Sequence, residues 1–173
     1  MLRMEAALRN CAVSAYFGLE NDHERDRPMT FDETVQLSNQ WLNELMLAVD
    51  WEDKHRAYRL LRATLHALRD RLTAHEAAQF GAQLPMLIRG FYYDGWHMTD
   101  RAPAERTKSA FLGHVEAAFK QDPNADTEAL VREVFKLLTH RLSAGQITDV
   151  KHMLPPEVRV LWPLESGEEA SAV

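Results

Sequence analysis

Five basic side chains, His55, Arg59, Arg62, His66 and Arg69, recur at steps of 4, 3, 4 and 3 residues. On a helix that spacing places all five on one face. A row of guanidinium and imidazole groups suits charge-assisted binding of an acidic helix or a phosphorylated partner. The competing reading is a solvated face balanced by acids from a neighbouring helix, and it is favoured because charged helix faces are usually just wet. A second group follows in Phe91, Tyr92, Tyr93 and Trp96, within the string FYYDGW. Rings with polar tips suit a ligand pocket or a protein interface. They suit a core joining two lobes equally well, and Trp162 further along favours that use.

Other chemistry has weaker support. Among eight histidines, His66 and Asp70 form an i, i+4 pair able to chelate, whereas His114 and Glu116 stand two apart and face different ways on a helix. There is no HExxH, no Glu-x-x-His and no Cys/His cluster, so no metal and no cofactor is expected. Neither a Gly-x-Ser-x-Gly elbow nor a Gly-rich phosphate loop is present, and the single Cys11 has no positioned base. The chain leans away from catalysis, with no catalytic residue to name.

Composition narrows the class of partner. Of 173 residues, 46% are hydrophobic and 27% charged, ordinary values for a soluble domain. A net charge of −6 argues against nucleic acid, whose phosphates demand a basic field. No apolar run approaches the roughly 20 residues that a membrane span needs. One cysteine permits no internal disulfide, so a reducing cytoplasm is the expected compartment.

The elements that must position these residues are helical. Residues 1–28 read as a leader, frayed or a loosely docked helix, with Met29 an alternative start. The pattern Thr30-Phe31-Asp32-Glu33 has capping-box spacing and opens a first helix to about Ala48, with Val35, Leu42, Leu45, Met46 and Val49 inward and Trp41 beside them. Asp50 is the expected N-cap of a second helix, about 52–71, carrying an apolar stripe from Ala57 to Leu72. Thr73 and Glu76 box a third helix, and Pro85 starts a short fourth. Residues 97–104 read as a linker. Helices over about 104–120 and 126–141 follow, then one boxed by Ser143 and Gln146, and a last turn opened by Pro155-Pro156. The acidic tail 164–173 is expected to be disordered.

Sliding the chain by seventy residues pairs Arg71 with Arg141, Thr73 with Ser143, Leu84 with Leu154, Pro85 with Pro155 and Arg89 with Arg159. Two amphipathic helices share leucines by chance, but not a turn and a Leu-Pro step at fixed distances. The expected fold is therefore all-α: two pseudo-repeated helical-bundle lobes of about four helices each, over residues 29–96 and 105–163.

The strings HRAYRLLRATLHALRDRL and TAHEAAQFGAQLPMLIRGFYYDGW resemble the bacterial "domain of unknown function 2267" family, over about residues 30–163. The resemblance implies a helical, internally duplicated bacterial protein without an assigned activity, and it carries no catalytic residue over. The later copy departs from the pattern, with Lys151-His152-Met153 in place of Gly81-Ala82-Gln83 and no Gly-Trp turn. The expected role is a non-catalytic interaction or adaptor module binding a protein partner or itself. The alternative is a small-molecule sensor whose ligand sits beside Phe91, Tyr92, Tyr93 and Trp96.

Overall fold

The structure, a computed structural model, describes residues 30–97, 106–119 and 126–163. The expected leader, the expected acidic tail and most of the expected linker lie outside them. Among the described residues the chain forms eight α-helices and no strand. No described helix is long and apolar enough to cross a membrane.

Helix α1 (Phe31–Ala48) carries Asp32 and Glu33 in its first turn, where the helix dipole favours acids. Its buried face is Thr34, Trp41 and Leu45, while Leu42, Met46 and Val49 are only partly covered. The inward face is thus centred on Trp41, which was expected at its margin: the largest apolar side chain takes the interior. The helix ends in a left-handed residue, Asp50 (φ 53°), with the Trp51 amide bonded back to the Met46 carbonyl at 2.9 Å. That is the Schellman pattern. Asp50 therefore closes α1 rather than opening the next helix. The N-cap of α2 (Lys54–Arg69) is Asp53, whose carboxylate accepts from the His55 amide at 2.8 Å.

Helix α2 is the centre of the fold. It packs against α4 (Met86–Tyr93), α5 (Lys108–Glu116) and α6 (Thr127–Arg141). Ala57, Leu60, Leu61, Thr64, Leu65, Ala67 and Leu68 are all fully buried, so its apolar surface wraps well beyond one stripe. A helix apolar around most of its girth belongs in the middle of a bundle. Phe111 and Val115 of α5, Val131, Val134, Phe135 and Leu138 of α6, and Ile88 and Tyr92 of α4 join it in one continuous core.

Local signals place the remaining helices. Thr73 boxes α3 (Ala74–Gln83), with Glu76 Oε2 accepting from the Thr73 amide at 2.7 Å. Ser143 and Gln146 box α7 (Ala144–Met153) in the same way, at 2.9 Å. Each box satisfies two orphan amides at a helix start. Both helices stop at a Leu-Pro step with nearly equal backbone angles: Leu84 at φ −82°, ψ 144° and Leu154 at −80°, 149°. Pro85 and Pro155 follow at φ −53° and −54°. A residue before proline is pushed out of the helical region, which ends both helices there. Pro155 then leads into α8 (Pro156–Arg159).

Helix α5 also differs from expectation at both ends. Helix α5 starts at Lys108 rather than near Ala104, because the Thr107 hydroxyl accepts from the Ala110 amide and caps it there. It finishes in a tighter 3₁₀ turn, Ala117–Phe119, a common way to close a helix end. Glu44 ties α1 to α6 by accepting from Arg141 at 2.7 and 2.6 Å.

Candidate functional site

The basic row and the aromatic turn meet. Arg62, His66 and Arg69 lie on the side of α2 that faces the C-terminus of α4. The last carbonyls of a helix have no partner inside it and carry the negative end of its dipole. Two guanidinium groups and one imidazole N–H from α2 supply the donors that α4 lacks. The Nε2–H of His66 donates to the Phe91 carbonyl at 2.6 Å. Arg69 Nη1 donates to the Tyr92 carbonyl at 2.5 Å and reaches the Asp94 carbonyl at 3.3 Å, while its Nε donates to Asp70 at 2.8 Å. Arg62 closes the group through the Asp94 carboxylate at 2.6 Å.

Burial sorts the five residues of the row. His55 and Arg59 are exposed, Arg62 and His66 are half-buried, and Arg69 is only 5% exposed. Arg69 thus departs from the expected solvated face, because α4 docks over the end of the row. Its guanidinium also lies 5.8 Å from the centre of the Trp96 ring, within cation–π range. Arg59 stands 5.8 Å from the Phe119 ring.

The electrostatics follow from the same packing. Burial pulls the pKa of His66 below its usual 6.5; the bond to the Phe91 carbonyl opposes this, and the charges of Arg69 and Arg62 add to it. A neutral ring bearing its proton on Nε2 satisfies both the carbonyl and its cationic neighbours. The hydrogen bond and charge of Arg62 hold the Asp94 carboxyl below the usual carboxylate value. Burial first, then the neighbouring Tyr93, raises Tyr92 far above an ordinary phenol. Its hydroxyl keeps its proton and donates to the Ala77 carbonyl at 3.1 Å.

The rings form a packed set. Tyr92 is fully buried and meets Phe80 edge-on, with centroids 5.6 Å apart. Tyr93 stacks on Trp96 at 5.5 Å, and Phe91 meets Tyr58 at 5.2 Å. Tyr93 reaches back to the Ala77 carbonyl, so the aromatic turn is bonded to α3 as well as to α2.

The segment seventy residues on has a reduced version. Arg132, at the place of Arg62, donates to the Val160 carbonyl at 3.0 Å and to Glu128. Lys136 stands where His66 does and pairs with Glu133, and Thr139 stands where Arg69 does and bonds within its own helix. Trp162, at the place of Tyr92, is buried and stacks on Phe135 with centroids 4.4 Å apart.

Sequence reasoning missed Arg71. It is buried, donates to the Ala67 carbonyl at 2.8 Å and lies 4.8 Å from the centre of Phe111. Its shared position with Arg141 was the signal available. The acidic partner in the row, Asp94, was also missed, although it sits inside the aromatic string.

A cleft of about 300 Å³ lies between α3 and α7 and shares Phe80 with the ring set. Phe80, Val150 and Met153 contribute its apolar lining, and Gln79, Gln83 and Asp149 its polar lining. Gln146 donates to Gln83 across it. No cluster of three or more metal-ligating side chains occurs among the described residues.

Fold and site together define an all-α protein in which one helix end is gripped by a basic row from its neighbour. The family model described as an uncharacterized conserved protein (DUF2267) matches residues 38–161, and the chain belongs to that family. No curated protein matches the chain.

Proposed function

We propose that the protein is a non-catalytic interaction module of the cytoplasm, and that α4 is the element it presents to a partner protein. The observation carrying this reading is how α4 is held and what it leaves outside. Ile88 and Tyr92 are 1% and 0% exposed, and the basic group anchors its C-terminus. On the opposite face Met86 is 59% exposed, and Gly90, one turn on, has no atom within 4 Å of where a Cβ would stand. Leu87 extends the apolar strip. A rigid apolar strip beside an open glycine suits close approach by a partner's apolar helix. In this reading the His55–Arg69 row and the aromatic turn build the scaffold, and only His55 and Arg59 are left to steer an acidic partner. The segments 29–96 and 105–163 are then two copies of one ancestral helical module, of which the earlier kept the exposed strip.

Affinity capture from a native lysate tests it, with a double variant Met86→Glu/Leu87→Glu as the comparison. Loss of the wild-type partners at an unchanged thermal midpoint is the expected result. Sedimentation of the pure chain separates a second copy from a foreign partner. Identical partners on both baits would sink the assignment of α4.

A further inference from the structure

The cleft between α3 and α7 has a chemistry distinct from that of the exposed face of α4. Phe80 and Val150 are each 3% exposed and give it an apolar lining. Gln79, Gln83 and Gln146 are neutral amides that offer both donors and acceptors. Asp149 is the one charged group in the lining. Many of the other acids are engaged: Glu44 by Arg141, Asp94 by Arg62, Glu128 by Lys108 and Arg132, Glu133 by Lys136. Asp149 has no hydrogen-bond or ion-pair partner among the described residues.

We infer that this cleft binds an organic cation with a hydrocarbon body, the body resting on Phe80, Val150 and Met153 and the charged nitrogen on Asp149. An anion would meet Asp149 head-on in a protein of net charge −6. A fully apolar ligand would gain nothing from the exposed Asp149 carboxylate, whereas a cation adds an ion pair to it. A volume of about 300 Å³ is at the small end for ligand pockets, matching an arylalkylamine or a single lysine side chain rather than a nucleotide. The Gln83–Gln146 pair spans the two helices, so an occupant that accepts or donates beside it shifts both side-chain amides.

Side-chain amide and methyl NMR spectra of the full chain, titrated with phenethylamine, give the test. Saturable shifts at Gln79, Gln83, Gln146 and Val150 are expected. The neutral isostere phenethyl alcohol should bind about three- to fivefold more weakly, the size of a partly exposed ion pair. Asp149→Asn should erase that preference without moving the thermal midpoint. Nα-acetyl-lysine methylamide forms a second arm: tighter binding than phenethylamine assigns the site to a polypeptide side chain, weaker binding to a free amine. Absence of saturable shifts with both amines overturns the inference, as does equal binding of alcohol and amine, or a preference that survives in Asp149→Asn.

Discussion

A Cβ added to Gly81 would stand 2.2 Å from the hydroxyl oxygen of Tyr93 and 2.6 Å from its ring. The two residues are a matched pair. Seventy residues on, Lys151 replaces the glycine, and the place of Tyr93 is taken by Pro163. Where the ring is absent, a long side chain is tolerated.

Gly81→Ala should therefore destabilise the protein by about 1–3 kcal/mol, the usual cost of overpacking. Tyr93 would have to swing away, giving up its bond to Ala77 and its stack on Trp96. Urea denaturation followed by tryptophan fluorescence reads both effects. In a Tyr93→Ala background the same glycine change should cost far less, the 3.1 Å approach to the Tyr92 ring being what remains against the better helix propensity of alanine. A glycine substitution equally costly in both backgrounds would break the pairing.

The two ends of the basic row should behave differently. Arg69→Ala strands the Tyr92 carbonyl and opens a buried space, for a loss of about 2–3 kcal/mol. Arg59→Glu lies in solvent and should change stability by no more than about 0.5 kcal/mol. Denaturation midpoints of the two single variants decide. Similar losses from both would mean that α4 does not cover Arg69.

His66 makes stability depend on pH. Its folded pKa lies below 6.5 while the unfolded chain titrates near 6.5, so the unfolded state binds more protons just below that value. Stability is then fully present above about pH 6.5 and falls as the pH drops through the folded pKa. Asp94, also depressed, loses its contribution only on further acidification, below the ordinary carboxylate value of 3.8. Urea midpoints between pH 5 and 8 should decline on the acid side in the wild type, and less steeply in His66→Gln. Parallel curves would remove His66 from the balance.

Much of this architecture is written in short stretches. The Thr73–Glu76 and Ser143–Gln146 boxes and the two Leu-Pro stops act within a few residues of themselves, so spacing alone revealed them. The all-α class followed from the same local signals together with the apolar period. Asp50 and Asp53 show the limit: either can cap a helix, and the choice depended on which one the end of α1 had already taken into the left-handed region.

What only tertiary structure decided is the meaning of the charged row. Steps of 4 and 3 put Arg59 and Arg69 on the same helix face and say nothing of what covers either. An arginine's charge favours water unless another element brings carbonyls and carboxylates to replace it. Helix α4 brings them to Arg69 and not to Arg59. The docking that does so is fixed by Ile88, Tyr92 and Phe80 packing across long sequence separations, which no spacing within α2 records.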